Sequence, residues 1–271
     1  MIVVTGATGN VGQELVRILV GAGERVTGVS RRPGRLPEGV RHVRADLGDP
    51  QALEPALAGA EALFLLVAGE DPRGVLGLAR AAGVRRVVLL SSQGAGSRPE
   101  VYRHPVAFEE AVRDSGLEWT VLRSGGLNSN AFAWAGSIRA ERTASAPFGD
   151  VGLPTVDPAD VAEVAAAVLI RGGHAGRTYD LTGPARVTPR ERAAAIGEAL
   201  GAPVRFIEQT PAEARAQMLA FMPEPVVEGT LAILGRPLPA ELVTSPDVER
   251  VLGRAPRTFA QWAARTAPAF R

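Results

Sequence analysis

Met1-Ile2-Val3-Val4-Thr5-Gly6-Ala7-Thr8-Gly9-Asn10-Val11-Gly12 is the stretch that decides how this chain folds. Its apolar start reads as a buried strand, and the glycines at 6, 9 and 12 read as a sharp turn into a helix. Gly6 lets the chain leave the strand. Gly9 carries no side chain where backbone N–H groups must approach phosphate oxygens, and Gly12 lets the helix pack closely on the sheet. The free N–H groups and positive dipole end of that helix then face an anion. The stretch therefore predicts a cradle for the pyrophosphate of a dinucleotide, built from Gly6, Thr8, Gly9, Asn10, Val11 and Gly12. A glycine turn without a ligand is the alternative. Against it stand the one-faced apolar pattern at 11, 15, 18 and 19 and the second short strand over 25–30, in the order the fingerprint requires.

Further along, strands are expected over 40–44, 62–68, 86–92 and 118–123, and helices near 50–58, 71–82 and 103–115. This alternation predicts an α/β chain with a Rossmann-type doubly wound parallel sheet, its ligands at the carboxyl ends of the strands where strand order reverses. After Arg123 the texture changes: 125–154 is rich in Gly, Ala, Ser and Asn with weak periodicity. A helix over 158–170 follows, with Asp157 as its expected N-cap, then a strand over 177–181. Thr188-Pro189-Arg190-Glu191 reads as a capping box opening a helix to Leu200, with a short strand over 204–208 and helices broken by prolines from Pro211 onward. The expected division is a dinucleotide-binding domain over 1–182, with 125–157 contributing to the substrate side, and a smaller, mostly helical substrate lobe over 183–271 that docks closely on the sheet. Met218, Phe221, Met222, Leu231 and Leu234 fall at helical spacing and read as core of that lobe rather than pocket.

Composition narrows the chemistry. The chain has 271 residues and no cysteine, which removes disulfides, thiolate nucleophiles and iron–sulfur clusters and fits a reducing cytoplasm. A formal net charge of +1 argues against nucleic acid as a main partner. The longest apolar run, 62–68, is of strand length, so no membrane span is expected, and Met1 opens the first strand, leaving no room for a signal peptide. His42, His104 and His174 lie far apart without metal-ligand spacing, so no metal is expected. All 30 basic residues are arginine, which reads as the codon bias of a GC-rich bacterial genome. Whatever its origin, the absence of lysine excludes any mechanism that needs a lysine ammonium or Schiff base.

Several further segments, in order, give the chain a family likeness: Ala45-Asp46-Leu47, Val88-Leu89-Leu90-Ser91-Ser92, Ser115-Gly116-Leu117-Glu118-Trp119-Thr120-Val121-Leu122-Arg123, Asp157-Pro158-Ala159-Asp160-Val161-Ala162 and Tyr179-Asp180-Leu181-Thr182-Gly183-Pro184. With the opening glycine stretch they resemble the NmrA-like branch of the atypical short-chain dehydrogenase/reductase superfamily. The resemblance runs nearly end to end. It implies a Rossmann domain that binds NAD(P)(H), with a small C-terminal lobe closing over the substrate. It leaves the reaction open, because the branch includes reductases of quinones and related compounds, isomerase-like enzymes and sensors that bind cofactor without turnover.

Where NAD-binding folds carry an acid at the end of the second strand, this chain reads Ser30-Arg31-Arg32, with no acid before Glu38. Two guanidiniums there suit a 2′-phosphate and predict NADPH over NADH; a solvated arginine pair is the alternative. Asp46 and Leu47 are expected beside the adenine, Asp46 serving equally well as a turn residue. Val67, Ala68, Ser91 and Ser124, at the ends of the next three strands, are expected along the cofactor. Family members often have proline where this chain has Ser124.

The usual Tyr-x-x-x-Lys pattern is broken: Tyr102 is followed by Val106 where lysine belongs. The candidates left for proton transfer are Tyr102, His104 and Ser92, each also readable as a loop aromatic, a solvent-facing histidine and a backbone cap. Asn130, Phe132 and Trp134 are the candidates for substrate contact. The expectation is an NADPH-dependent oxidoreductase acting on a small, mostly apolar carbonyl, quinone or enone, and a homodimer is compatible with it. A redox sensor without turnover, or a non-redox isomerase or cyclase, is the alternative.

Overall fold

The computed structural model describes residues 1–271. In chain order the elements are β1 (Ile2–Thr5), α1 (Gly12–Gly21), β2 (Val26–Ser30), β3 (Arg41–Arg44), α2 (Glu54–Leu57), β4 (Ala62–Leu66), α3 (Pro72–Ala81), β5 (Arg86–Ser92), α4 (Gly94–Ser97), α5 (Arg103–Asp114), β6 (Glu118–Ser124), α6 (Ala135–Glu141), β7 (Thr143–Ala146), α7 (Pro158–Ile170), β8 (Arg177–Leu181), α8 (Pro189–Leu200), β9 (Arg205–Glu208), α9 (Pro211–Leu219), α10 (Glu224–Gly235), α11 (Asp247–Leu252) and α12 (Phe259–Thr266). They form two units. The first holds Met1–Ser124, Pro158–Leu181 and Asp247–Arg254, and the second holds Gly125–Asp157, Thr182–Pro246 and Ala255–Arg271.

The first unit is a seven-stranded sheet in the order β3-β2-β1-β4-β5-β6-β8. Every pairing is parallel. The inner strands are apolar on both faces because helices cover both, as a parallel sheet requires: Val3, Leu63, Leu65, Val87 and Leu89 face one core with Val75, Ala79, Phe108 and Val112 of α3 and α5. The chain runs outward from β1 through β2 to β3 and then returns to the other flank of β1 with β4, so strand order reverses between β1 and β4. Backbone pairing between these two strands ends at Val4–Phe64. Beyond it the buried Thr5 hydroxyl takes over, donating to the Phe64 carbonyl and accepting from the Leu66 N–H, both at 2.9 Å. A side chain thus replaces a rung of the ladder, and the two strand ends separate at the reversal point.

The second unit has a parallel two-stranded sheet of β7 and β9 and a core in which Ala193 and Ile196 of α8 meet Ile138, Phe259, Trp262 and Phe270. The capping box at Thr188 and Glu191 is present. A smaller apolar cluster gathers Ala214, Val227 and Leu231, with Met218 and Met222 packed against it. Phe221 departs from the expected core position and is 71% exposed. Helix α9 ends at its cap Ala220, and the turn before Pro223 carries Phe221 outward instead of continuing the apolar stripe.

The division of the chain also differs from a single boundary at 182/183. Asp247–Arg254 belongs to the first unit, held there by charge: the Asp247 carboxylate accepts the Asp180 N–H at 2.9 Å, and Arg254 bridges Asp160 at 2.7 Å and Glu163 at 2.5 Å. The segment 125–157 lies wholly in the second unit, where the Asp157 carboxylate accepts from Arg265 at 2.6 Å.

Candidate functional site

A cleft of about 480 Å³ opens in the first unit at the carboxyl ends of β1 to β4, lined by Gly6, Thr8, Gly9, Ser30, Arg31, Arg32, Asp46, Leu47, Ala68 and Gly69 among others. Its floor is the glycine turn. Gly6 has φ +63°, and a Cβ there would lie 2.2 Å from Leu66 Cδ1. At Gly12 a Cβ would lie 2.1 Å from the Gly6 carbonyl oxygen, so α1 can sit this close to the turn only without a side chain. At Gly9 the nearest atom to an added Cβ is that same oxygen, 3.3 Å away, and the rest is open cleft. The turn closes on itself through Gly9 N–H to Gly6 O at 2.9 Å.

Helix α1 starts without a side-chain cap, whereas α3, α8, α9 and α12 each have one. Its first N–H groups are left for a ligand at the cleft, the arrangement that suits a pyrophosphate. Asn10 is exposed at this end, while Val11 and Gly12 are buried behind it.

The cleft's outer edge is cationic. Arg31 and Arg32 are exposed and engage no carboxylate. Their turn is fixed from behind: the Ser30 hydroxyl donates to the Arg32 carbonyl at 2.6 Å and sits 2.8 Å from His42 Nε2. The serine's one proton goes to the carbonyl, so the imidazole donates to the serine oxygen. Asp46 lines the cleft and also makes a turn, its Oδ1 accepting from the Gly48 N–H at 3.0 Å.

Among the other predicted cofactor residues, Ala68 lines the cleft, and Val67 packs against the core behind it. The buried Ser91 hydroxyl turns away to donate to Glu109 Oε1 at 2.8 Å. The Ser124 carbonyl accepts from Gln93 N–H at 2.9 Å, tying the ends of β5 and β6 together.

The proton-transfer candidates separate into two places. Ser92 and Tyr102 gather around Gly94. The Gly94 N–H donates to Ser92 Oγ at 3.1 Å, and a Cβ at Gly94 would lie 2.6 Å from three Tyr102 ring atoms, so the phenol ring lies flat on this glycine. His104 instead reaches the end of β4, where its Nε2 donates to the Gly69 carbonyl at 2.6 Å while its ring packs edge-on to Phe108. Gly69, with φ +81°, is itself a cleft residue.

In the second unit Phe132 stacks against Trp262 and Phe270, with centroids 5.1 and 5.7 Å apart, and Trp134 Nε1 donates to the Ser145 carbonyl at 2.8 Å. Asn130 is exposed, whereas Asn128, two residues earlier, is 1% exposed.

Sequence reading missed Glu109, which is 1% exposed. Burial alone pushes its carboxyl up, but hydrogen bonds from Arg123, Ser91 and Arg113 outweigh it and hold the group below the ordinary carboxylate range. Nearby, Asp180 is pushed up, chiefly by burial. The legible signal for Glu109 was its place one residue after Phe108 on the inward face of α5.

Comparison with known proteins agrees with this geometry. A family model described as NAD(P)H-binding matches residues 6–171. A (4-alkanoyl-5-oxo-2,5-dihydrofuran-3-yl)methyl phosphate reductase of Streptomyces griseus is 41% identical, covering 100% of this chain and 99% of that enzyme. An NAD(P)H azoreductase of Xenophilus azovorans is 31% identical with the same coverage of both chains. The structure of an NADPH-dependent quinone oxidoreductase of Escherichia coli complexed with NADPH superposes with a TM-score of 0.80 at 26% identity, over 98% of this chain and 99% of that one. No helix is long and apolar enough to cross a membrane.

Proposed function

We infer, from the premise that this chain belongs to the NAD(P)H-binding family and is an NADPH-dependent oxidoreductase of the NmrA-like type, that its acceptor is a small conjugated carbonyl compound. The observation carrying this reading is the cleft itself, with a helix end free of caps beside two unpaired guanidiniums. The acceptor class follows from likeness. The Streptomyces griseus enzyme's name describes a ring double bond conjugated to carbonyl groups and bearing a phosphate ester, and the two chains align over their whole length.

The glycine turn and the α1 N-terminus hold the pyrophosphate, and Arg31 and Arg32 take the 2′-phosphate. Bound there, NADPH supplies a hydride to the β-carbon of the acceptor, and one proton completes the saturated carbonyl product. Tyr102 is the group we assign to supply that proton, from its phenol oxygen, with Ser92 fixing the Gly94 backbone against which its ring rests. No lysine lowers the phenol's proton affinity, so the step leans on an acceptor whose negative charge is already spread over conjugated carbonyls. Nε2 of His104 is committed to the Gly69 carbonyl. In this reading it positions the cleft wall and does not donate to substrate.

The test is loss of NADPH absorbance with a panel of phosphorylated and unphosphorylated butenolides, quinones, azo dyes and simple ketones. Turnover is expected with conjugated acceptors, and Tyr102→Phe is expected to cut kcat by roughly 10²–10⁴-fold with little change in NADPH affinity. Tight NADPH binding with no turnover on any acceptor would favour a sensor, and undiminished turnover by the Phe variant would remove Tyr102 from the chemistry.

A further inference from the structure

Five buried side-chain polar atoms of this chain have no hydrogen-bond partner, and all are in the second unit: both amide atoms of Asn128, Oγ of Ser129, Oγ1 of Thr155 and Nε of Arg192. Elsewhere the buried charges are matched, Glu109 by Arg123 and Arg113, Asp157 by Arg265 and Asp160 by Arg254. Arg192 is different. It is 9% exposed, and its side chain touches no carboxylate, carbonyl or hydroxyl.

Its position makes this more than a loose end. The buried residues of α8 are Pro189, Arg192, Ala193, Ile196 and Gly197, a helical stripe facing the core. Ala193 and Ile196 pack in the same cluster as Ala131, which shares a 3₁₀ turn over 128–134 with Asn128 and Ser129. The bridges Leu127–Val156 and Leu153–Val187 lace the segments bearing Asn128, Thr155 and the start of α8 together. An apolar residue would satisfy this stripe. A guanidinium there forfeits hydration with nothing in return, and burial alone pushes it down to about 10.

The four side chains share one chemistry. One permanent cation is accompanied by two hydroxyls and an amide, with no carboxylate among them. Such a set repels metal ions and suits an oxyanion, which a planar guanidinium grips through two parallel hydrogen bonds. We propose that Arg192, with Asn128, Ser129 and Thr155, forms an anion subsite of the second unit that takes the phosphate ester of the reductase's acceptor. The proposal rests on the reductase reading for the identity of the ligand, and on the unpartnered groups for the existence of the site.

The experiment uses the full chain saturated with NADPH, so that the dinucleotide cradle is filled, and compares the wild type with Arg192→Met and Thr155→Val. Inorganic phosphate is expected to raise the wild-type melting temperature and to leave that of Arg192→Met unmoved. In turnover, the wild type is expected to prefer a phosphorylated enone over its dephosphorylated counterpart. The preference should fall roughly ten- to hundredfold in Arg192→Met, mostly through KM, and by less in Thr155→Val. Equal protection of wild type and Arg192→Met by phosphate would mark adventitious binding and overturn the site. So would an unchanged preference in the variant. If no acceptor oxidises NADPH but phosphate protection still depends on Arg192, the reductase reading fails and the anion site stands.

Discussion

The glycine turn makes a graded prediction, because its three positions are closed for different reasons. At Gly12 an added methyl would lie 2.1 Å from the Gly6 carbonyl oxygen and 2.9 Å from Ala7 Cα, all backbone. Helix α1 must retreat by about 1 Å to restore contact, and overpacking of this kind typically costs about 1–3 kcal/mol. With about 2–4 °C lost per kcal/mol in a protein of this size, Gly12→Ala should melt several degrees below the wild type. At Gly9 the methyl meets only the Gly6 oxygen, at 3.3 Å, so Gly9→Ala should fold with nearly native stability. Its methyl instead occupies the floor of the cleft, displacing a phosphate oxygen from one or two backbone donors. Hydrogen bonds to a charged group contribute about 1.5–3 kcal/mol each, so NADPH affinity should fall about tenfold to several hundredfold. Gly21 is the control: nothing lies within 4 Å of an added Cβ, and Gly21→Ala within α1 should stabilise by about 0.5–1 kcal/mol without touching affinity. Thermal melts with and without NADPH, together with fluorescence titration, separate the three. Wild-type NADPH affinity in Gly9→Ala would refute the argument, since it would mean the phosphates never approach that backbone.

Two other predictions concern charge. Replacing Arg31 and Arg32 together with alanine should weaken NADPH binding much more than NADH binding in a paired titration, and equal losses would refute the 2′-phosphate assignment. Glu109, held below the ordinary carboxylate range in the folded protein, contributes stability that is complete above the unfolded value near 4.5 and is lost as pH falls through its folded value. Urea unfolding at neutral and acid pH should therefore show Glu109→Gln several kcal/mol weaker at pH 7, roughly 3–5 by analogy with other broken buried pairs, with the gap closing in acid. A gap that stays constant with pH would show that the carboxylate's charge is not what matters.

Most of the first unit was legible because its signals are local. The apolar strand β1, the glycine turn and the one-sided α1 lie within twenty-one residues, and the inner strands announce themselves by being apolar on both faces. The strand β7 was not legible. Thr143-Ala144-Ser145-Ala146 has no run of large apolar residues, and its partner β9 begins at Arg205, far along the chain. The recruitment of Asp247–Arg254 was equally hidden, because it depends on carboxylates of Asp160 and Glu163 that only the fold brings near Arg254. Within the site, the residue types at Gly6, Gly9, Gly12, Arg31 and Arg32 announced their chemistry. Ser91 did not, because a hydroxyl at a strand's end can turn to either side, and Glu109 on the neighbouring helix drew it away. Arg192 was visible in principle, as an arginine on the apolar stripe of α8, but a stripe position is recognised as wrong only once the helix's inward face is known.

The dinucleotide-binding unit is discontinuous, and this limits how it can be made. Its last piece, 247–254, lies seventeen residues from the chain's end, so a ribosome must translate nearly the whole message before that unit has all its parts. A fragment stopped at 182 would leave the Asp160 carboxylate buried without its arginine, and the backbone N–H of Asp180 without its acceptor. Excising the cofactor half as a portable module, the ordinary ambition for a nucleotide-binding fold, is therefore closed to this protein unless the 247–254 segment is spliced back by a linker or circular permutation.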